Sequence, residues 1–173
     1  DKHPTPAQIE AGNYKKGHFW QWGHEFSIEN PRGSVRRGVD KTGKPWEREM
    51  PHHYGYIRRT ISRADGDHVD CYIGPNPSID LVFVVDQQKA NRHFDEHKVM
   101  IGFKNLAEAK AAYESAYHPG WQGLQNITPM TKQQFLKWLE MGDTSSPVAR
   151  QVSKYARVEE VAARIAKNVA ESV

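Results

Sequence analysis

Three aspartates, Asp65, Asp67 and Asp70, lie within six residues of one another near the middle of the chain. Carboxylates this close repel each other and contribute nothing to a hydrophobic core, so their grouping favours a divalent cation that neutralises them. Two arginines, Arg58 and Arg59, precede the group. A guanidinium beside a cation site indicates that the cation's other ligand is a phosphate. The pattern predicts metal-assisted chemistry on a phosphate.

The short sequence Asp65-Gly66-Asp67 is also compatible with a plain solvated turn. Strand alternation would place Asp70 on the opposite face from the other two aspartates unless the turn is irregular. Gly66 favours such a turn because glycine readily adopts a left-handed backbone, and the three carboxylates could then converge. An EF-hand loop is excluded, since the acidic spacing and the terminal glutamate of that loop are missing.

The residues around this group resemble a known active-site core. Pro51 is followed by Tyr54-Gly55-Tyr56-Ile57 and then by Asp65-Gly66-Asp67-His68-Val69-Asp70. This succession closely resembles the soluble inorganic pyrophosphatases of the Mg²⁺-dependent β-barrel type, over roughly residues 50–73. The chain is also similar to the pyrophosphatase-like domains of phage and mobile-element multidomain proteins, through residues 12–14, 27–31, 83–86 and 94–99.

The resemblance implies Mg²⁺ as cofactor, with Mn²⁺ or another divalent cation as a substitute. It implies pyrophosphate or another phosphorylated small molecule as the substrate. The outer aspartates, Asp65 and Asp70, would bind metal, and Asp67 would help a water to lose its proton. Tyr54, the first tyrosine of the strand, would hydrogen-bond a phosphate.

Further acids follow from the same resemblance. Glu29 lies in an Ile-Glu-Asn-Pro run similar to the family's Ile-Glu-x-Pro strand, whose glutamate reaches the metal through water. Glu96 stands two residues before Lys98, as the last metal-binding acid stands before a phosphate-binding lysine in the family. Asp86 or Asp95 would supply the remaining acid.

The chain departs from the family pattern at two places. His68 stands where the family has proline, and a histidine there could bind the metal or donate to a phosphate. The family's Lys-x-Glu element has no clean counterpart, although a nearby arginine could replace its charge. The arginines that could replace this charge are Arg36, Arg37 and Arg48. Charge on the departing phosphate could be stabilised by Arg48, Arg58, Arg59 and Lys98.

These departures leave two alternatives to pyrophosphate hydrolysis. The first is an enzyme that hydrolyses a nucleotide or another phosphorylated metabolite. The second is a catalytically weak module of a phage protein that binds phosphate or nucleic acid. The formal net charge of +3 is too small to indicate nucleic acid by itself.

Local patterns predict the elements that position these residues. Aromatic residues around a Gly turn predict a hairpin over 16–29, and strands are predicted over 54–61, 69–73, 81–85 and 98–103. Helices are predicted over 106–117 and 131–141. Together they predict an α+β fold, a small twisted antiparallel β-barrel or sheet with two or three helices packed against it. The expected organisation is a catalytic domain over 1–142, a linker over 143–155 and an amphipathic helix over 156–173.

Composition limits the class of protein. No apolar run approaches the ~20 residues that a membrane-spanning helix needs, so no membrane association is expected. A single cysteine, Cys71, excludes an internal disulfide and is compatible with a reducing cytoplasm, which for a phage protein is that of the host. The first residue is Asp1, so we expect a fragment or a domain of a larger parent protein. A homo-oligomer is also compatible with the sequence.

Overall fold

The computed structural model describes residues 16–58, 60, 66 and 68–151. Within these residues, nine strands and two α-helices follow one another, with one short 3₁₀ helix near the end. The strands are β1 (Gly17–Gln21), β2 (His24–Asn30), β3 (Val35–Val39), β4 (Pro45–Glu49), β5 (His53–Ile57), β6 (Val69–Ile73), β7 (Leu81–Gln88), β8 (Phe94–Ile101) and β9 (Leu124–Thr131). The helices are α1 (Leu106–Ser115), α2 (Lys132–Met141) and the 3₁₀ helix Val148–Arg150.

Seven of the described strands form one sheet in the order β1-β2-β5-β6-β8-β7-β9. Neighbouring strands run antiparallel except β6 and β8, which are parallel. The α+β class is as predicted, and of the two predicted forms, a barrel or a sheet, the described strands form an open sheet. The sheet is mixed, whereas a wholly antiparallel one was predicted. The reason is the path of the chain. After β6 the chain skips one strand position to form β7, and β8 then fills the gap between them, antiparallel to β7 and therefore parallel to β6.

Helices cover both faces of this sheet. Along β7, Val82 and Val84 pack into one apolar cluster, while Phe83 and Val85 pack into another, as alternation on a strand requires. The first cluster includes Phe135 and Trp138 of α2, and the second includes Ala109, Ala112 and Tyr113 of α1. We call these two sides the α2 face and the α1 face.

Strands β3 and β4 form a separate two-stranded hairpin, the β3–β4 hairpin. Its turn is held by Asp40, whose Oδ1 accepts from the backbone N–H groups of Thr42 and Lys44 at 2.8 and 2.9 Å. At its base, the N–H of Met50 donates to the carbonyl of Ser34 at 2.8 Å. No strand is predicted from the sequence over residues 30–46, because the charged and glycine-rich pattern there shows no buried face.

Capping residues define the two helices. The Asn105 side chain accepts from the N–H of Glu108 and starts α1, and Thr131 with Gln134 forms a capping box that starts α2. The helices predicted over 106–117 and 131–141 are confirmed, although α1 ends at Ser115. Strand β9 was not predicted. It contains Pro129, which is tolerated there because β9 is an edge strand among the described residues.

The amphipathic helix expected over 156–173 lies outside the described residues. Of the segment predicted as a linker, the structure describes 143–151, which contains the 3₁₀ helix. Within the part of the chain that is described, no helix combines the length and the apolar character needed to cross a membrane.

Candidate active site

A polar cluster interrupts the apolar packing of the α1 face at the centre of the sheet. Asp70 on β6 is the register partner of Tyr56 on β5 and of Lys98 on β8. Tyr54 is two residues from Tyr56 on the same strand, so its side chain points to the same face. Three neighbouring strands therefore bring Tyr54, Asp70 and Lys98 together.

These three side chains form a closed triangle of hydrogen bonds. Lys98 Nζ donates to Tyr54 Oη at 2.9 Å and to Asp70 Oδ2 at 2.7 Å, and Tyr54 Oη donates to the same Asp70 oxygen at 2.9 Å. Lys98 Nζ also lies 2.7 Å from Glu96 Oε1. Lys98 is only 4% exposed, whereas both carboxylates are partly open to solvent. A buried ammonium thus lies beneath two accessible carboxylates.

Electrostatics fix the protonation states in this triangle. Burial raises the pKa of Tyr54 far above its ordinary value, and the Lys98 ammonium opposes this only in part, so Tyr54 is a neutral donor. Burial disfavours the ammonium of Lys98, but the Tyr54 oxygen and the Asp70 and Glu96 carboxylates outweigh it and raise the pKa of Lys98. Lys98 therefore stays charged.

Glu29 and Arg36 face the same cluster. Burial raises the pKa of Glu29, nearby Lys16 lowers it, and the charge of Asp70 raises it again. Arg36, on the β3–β4 hairpin, places its guanidinium carbon 5.2 Å from the centre of the Tyr54 ring. Two further residues predicted from the sequence, an acid and a cation, thus border the triangle.

The structure also places the described parts of the acidic loop. Gly66 has φ +77°, the left-handed conformation that an irregular turn requires. The ring of His68 stacks on that of Tyr56 with centroids 4.7 Å apart, and its Nδ1 lies 2.9 Å from the carbonyl oxygen of Thr60. Tyr56 is the register partner of Asp70, so the ring of His68 lies beside a residue that adjoins the triangle. Asp65, Asp67 and Arg59 lie outside the described residues.

Asp86 does not join this cluster. It follows Val82 and Val84 in the alternation of β7 and so lies on the α2 face, where it is fully buried. Its carboxylate accepts from the N–H groups of Val148 and Ala149 at 2.7 and 3.2 Å, and its Oδ1 lies 3.2 Å from His97 Nε2. Asp86 thus holds the 3₁₀ helix against the sheet.

The other sequence-predicted residues have separate partners. Asp95 accepts from the Gln87 amide at 3.2 Å. Arg58 pairs with Glu25 at 3.0 Å, and Arg37 pairs with Glu47 at 2.7 Å. The guanidinium of Arg48 reaches the carbonyl of Ser115 at 3.5 Å, at the end of α1. None of these contacts places the side chain in the triangle.

Sequence reasoning missed a layer of tyrosines behind the triangle. Tyr113 and Tyr117 both donate to Gln87 Oε1, at 2.7 and 3.0 Å, and burial raises the pKa of Tyr113 to about 12. Trp121 donates to Tyr113 Oη at 3.0 Å. Tyr113 lies on α1 and Tyr117 lies two residues past its end. Their four-residue spacing was a usable signal, since it puts both rings on one side of the helix predicted over 106–117.

A buried lysine flanked by carboxylates and a neutral tyrosine, with further cations nearby, defines the site as one suited to a phosphate ligand. A family model described as Inorganic Pyrophosphatase matches residues 6–140, most of the chain. The chain therefore belongs to the inorganic pyrophosphatase family. The search of curated proteins and the search of solved structures gave no match.

Divalent metals are the cofactors that this family implies. Among the described residues, no group of three histidine, cysteine or acidic side chains is close enough to hold an ion. Asp70, Glu29 and Glu96 nevertheless share the α1 face, and carboxylate oxygens are the donors that Mg²⁺ prefers. The donor chemistry of the cluster fits Mg²⁺, with Asp65 and Asp67 as further carboxylates in sequence.

Proposed function

We propose that this chain hydrolyses inorganic pyrophosphate to two phosphates in a divalent-metal-dependent reaction. The observation that carries the proposal is the triangle of Tyr54, Asp70 and Lys98. Its members come from three separate strands, yet they are the tyrosine, the aspartate and the lysine that the family resemblance selected from the sequence.

Binding of the substrate would use the cations and the neutral hydroxyl. Lys98 stays charged although it is buried, so it offers a fixed positive charge at the floor of the site. Tyr54 stays neutral, so its hydroxyl can donate to a phosphate oxygen instead of repelling it. Arg36 lies beside the Tyr54 ring and would reach the same anion from the β3–β4 hairpin.

Asp65 and Asp70 would hold Mg²⁺, and Glu29, Glu96 and Asp95 are the further acids that the family resemblance selects for this role. When bound, Mg²⁺ would neutralise phosphate charge and make a water more acidic. The carboxylates present before binding are partly balanced by Lys98, which lies 2.7 Å from both Asp70 and Glu96. This balance lets several acids remain close together without the ion.

Hydrolysis needs a proton acceptor for the attacking water, and we assign this role to Asp67. The water oxygen forms a bond to one phosphorus as the bond from that phosphorus to the bridging oxygen breaks. The proton of the water passes to the Asp67 carboxylate, and the bridging oxygen leaves with the second phosphate. His68, stacked on Tyr56, would fix the end of the loop that carries Asp67.

The test is phosphate release from pyrophosphate by the purified chain, with Mg²⁺ and with EDTA. Asp67→Asn should lower the rate by about 10²-fold or more, as expected for loss of a general base. Asp80→Asn, at an exposed position before β7, serves as the matched control and should leave the rate unchanged. Absence of phosphate release from pyrophosphate with Mg²⁺, Mn²⁺ and other divalent ions would exclude the pyrophosphatase and favour a nucleotide substrate or a binding module.

A further inference from the structure

A cavity of about 570 Å³ lies between the β3–β4 hairpin and the end of α1. Its walls include Arg36, Trp46 and Arg48 from the hairpin, and Tyr117, His118 and Trp121 from the other side. The volume is within the range of about 300–1,000 Å³ that is typical of small-molecule sites. Neither the family match nor the proposed reaction on pyrophosphate accounts for this cavity.

One wall of the cavity is a fixed aromatic surface. The rings of Tyr117 and Trp121 stack with centroids 4.3 Å apart and planes 6° apart. Tyr117 Oη is tied to Gln87 on the sheet, and the Trp121 indole N–H is tied to Tyr113. These bonds hold the two rings in place. Each ring covers one face of the other, and Gly123 packs against Trp121, since an added Cβ there would lie 2.3 Å from the indole. The pair is therefore a rigid aromatic wall of the cavity.

The hairpin side of the cavity presents a second indole. Trp46 lies across Gly38, where an added Cβ would come within 2.5 Å of the ring, so only glycine lets the indole lie against the strand. Trp46 is nevertheless 42% exposed to solvent. A large aromatic ring that is left this open on a cavity wall is available to stack on a planar ligand.

The charge of the cavity favours an anion. Arg36, Arg48 and Lys44 contribute positive charge to its lining. Two acids also line the cavity: Asp40, which accepts from the turn residues, and Glu47, which pairs with Arg37 at 2.7 Å. Because the pairing with Arg37 balances Glu47, the lining is net positive, and the cavity combines aromatic walls with this positive charge.

The cavity borders the candidate active site directly. Arg36 lines the cavity and also lies 5.2 Å from the Tyr54 ring. Tyr117 lines the cavity and donates to Gln87, which is the register partner of Glu96. A ligand in the cavity can therefore extend its anionic end toward Lys98 and Asp70.

We propose that the cavity binds the base of a nucleoside diphosphate, whose two phosphates occupy the Tyr54–Lys98 site. Free pyrophosphate has no apolar surface and gains nothing from the exposed Trp46 indole or from the aromatic wall opposite it, whereas a base stacks on such an indole. This inference rests on the proposed function. Water attacks the terminal phosphorus, its proton passes to Asp67, and the anhydride bond breaks to give phosphate and a nucleoside monophosphate.

The experiment compares ADP with pyrophosphate on the full chain, with Mg²⁺, using phosphate release as the readout. A second readout is calorimetric binding of α,β-methylene-ADP. Trp46→Ala removes one stacking partner of the base. It should raise KM for ADP, and so lower kcat/KM, about tenfold, and the analogue should bind about tenfold more weakly.

The rate of pyrophosphate hydrolysis should stay unchanged in Trp46→Ala. Trp46→Phe keeps an aromatic ring and should restore ADP turnover. Trp20→Ala, which removes an indole 66% exposed on β1, is the matched control.

The outcomes separate the two proposals. Turnover of pyrophosphate without ADP turnover or analogue binding would overturn the base pocket and leave the proposed function intact. Analogue binding that depends on Trp46, without turnover of either compound, would support the base pocket and refute the hydrolase. Equal ADP turnover in wild type and Trp46→Ala would also overturn the base pocket.

Discussion

Lys98 and Asp70 are register partners on the two parallel strands of the sheet, and Lys98 Nζ lies 2.7 Å from Asp70 Oδ2. The pairing of β6 with β8 sets this contact, because partners on adjacent strands point their side chains to the same face. Glu96, two residues before Lys98, reaches the same ammonium. The parallel pair thus places one buried cation between two carboxylates, and this arrangement leads to the following predictions.

Replacing Lys98 by methionine should destabilise the fold. The change leaves Asp70 and Glu96 facing each other without the ammonium, and breaking a buried pair costs about 3 kcal/mol or more. Urea unfolding followed by circular dichroism measures this free energy. Lys110→Met, in an exposed helical pair with Glu114, should change it by less than about 0.5 kcal/mol. Equal effects of the two changes would contradict the central role of Lys98.

Removing the hydroxyl of Tyr54 should affect turnover more than stability. Tyr54→Phe keeps the packed ring but loses the hydrogen bonds to Lys98 and Asp70, so we expect a loss of about 1 kcal/mol in the free energy of unfolding. Pyrophosphate turnover should fall about tenfold or more, because a phosphate donor is lost. Tyr56→Phe, which keeps the stack on His68, is the control. Unchanged turnover in Tyr54→Phe would exclude the hydroxyl from substrate binding.

Replacing Asp70 should change the Mg²⁺ requirement of the reaction, whereas replacing Asp86 should change only the stability of the fold. Asp86 accepts backbone N–H groups on the α2 face, so Asp86→Ala should cost about 3 kcal/mol of stability by leaving buried donors unpaired. The folded fraction should keep its Mg²⁺ requirement. Asp70→Asn should instead raise the Mg²⁺ concentration that gives half-maximal turnover. If Asp86→Ala also raised the Mg²⁺ concentration that gives half-maximal turnover, Asp86 would belong to the metal site and the prediction would be wrong.

His53 should make stability depend on pH below neutrality. Its Nδ1 accepts the N–H of Arg32 at 3.0 Å, and burial, with the charge of Arg32, lowers its pKa. Because the folded-state pKa is lower than the unfolded one, the stabilisation is complete above the unfolded value of about 6.5 and is lost as pH falls through the folded value. Melting temperatures from pH 8 to 5 should therefore fall less in His53→Asn than in wild type. An exposed control is His93→Asn, and parallel curves for wild type and His53→Asn would contradict the prediction.

The elements that the sequence predicts well are those fixed by residues close together in the chain. The hairpin β1–β2 follows from Trp22-Gly23, both of which have positive φ in its turn, and the two helices follow from their capping residues. Strands β3, β4 and β9 were missed because their side chains alternate weakly between buried and exposed positions. Such strands form through pairing with a neighbour, which a local pattern does not contain.

The candidate site was predicted in part for a similar reason. The resemblance selected Tyr54, Asp70 and Lys98, and the structure brings these side chains together. It also selected Asp86, whose position on the α2 face depends on how β7 alternates around Val85. The cavity beside Trp46 had no sequence signal, because its walls come from segments about 70 residues apart.

The separation of the β3–β4 hairpin from the main sheet has a consequence for how this protein can change over evolution. The hairpin pairs with no other strand among the described residues, and it carries Arg36 and Trp46 on its own short ladder. Insertions or substitutions in it leave the register of β5, β6 and β8 unaltered. Under the proposed base pocket, a substitution at Trp46 would therefore change ligand preference while the pairing of the central strands stays the same.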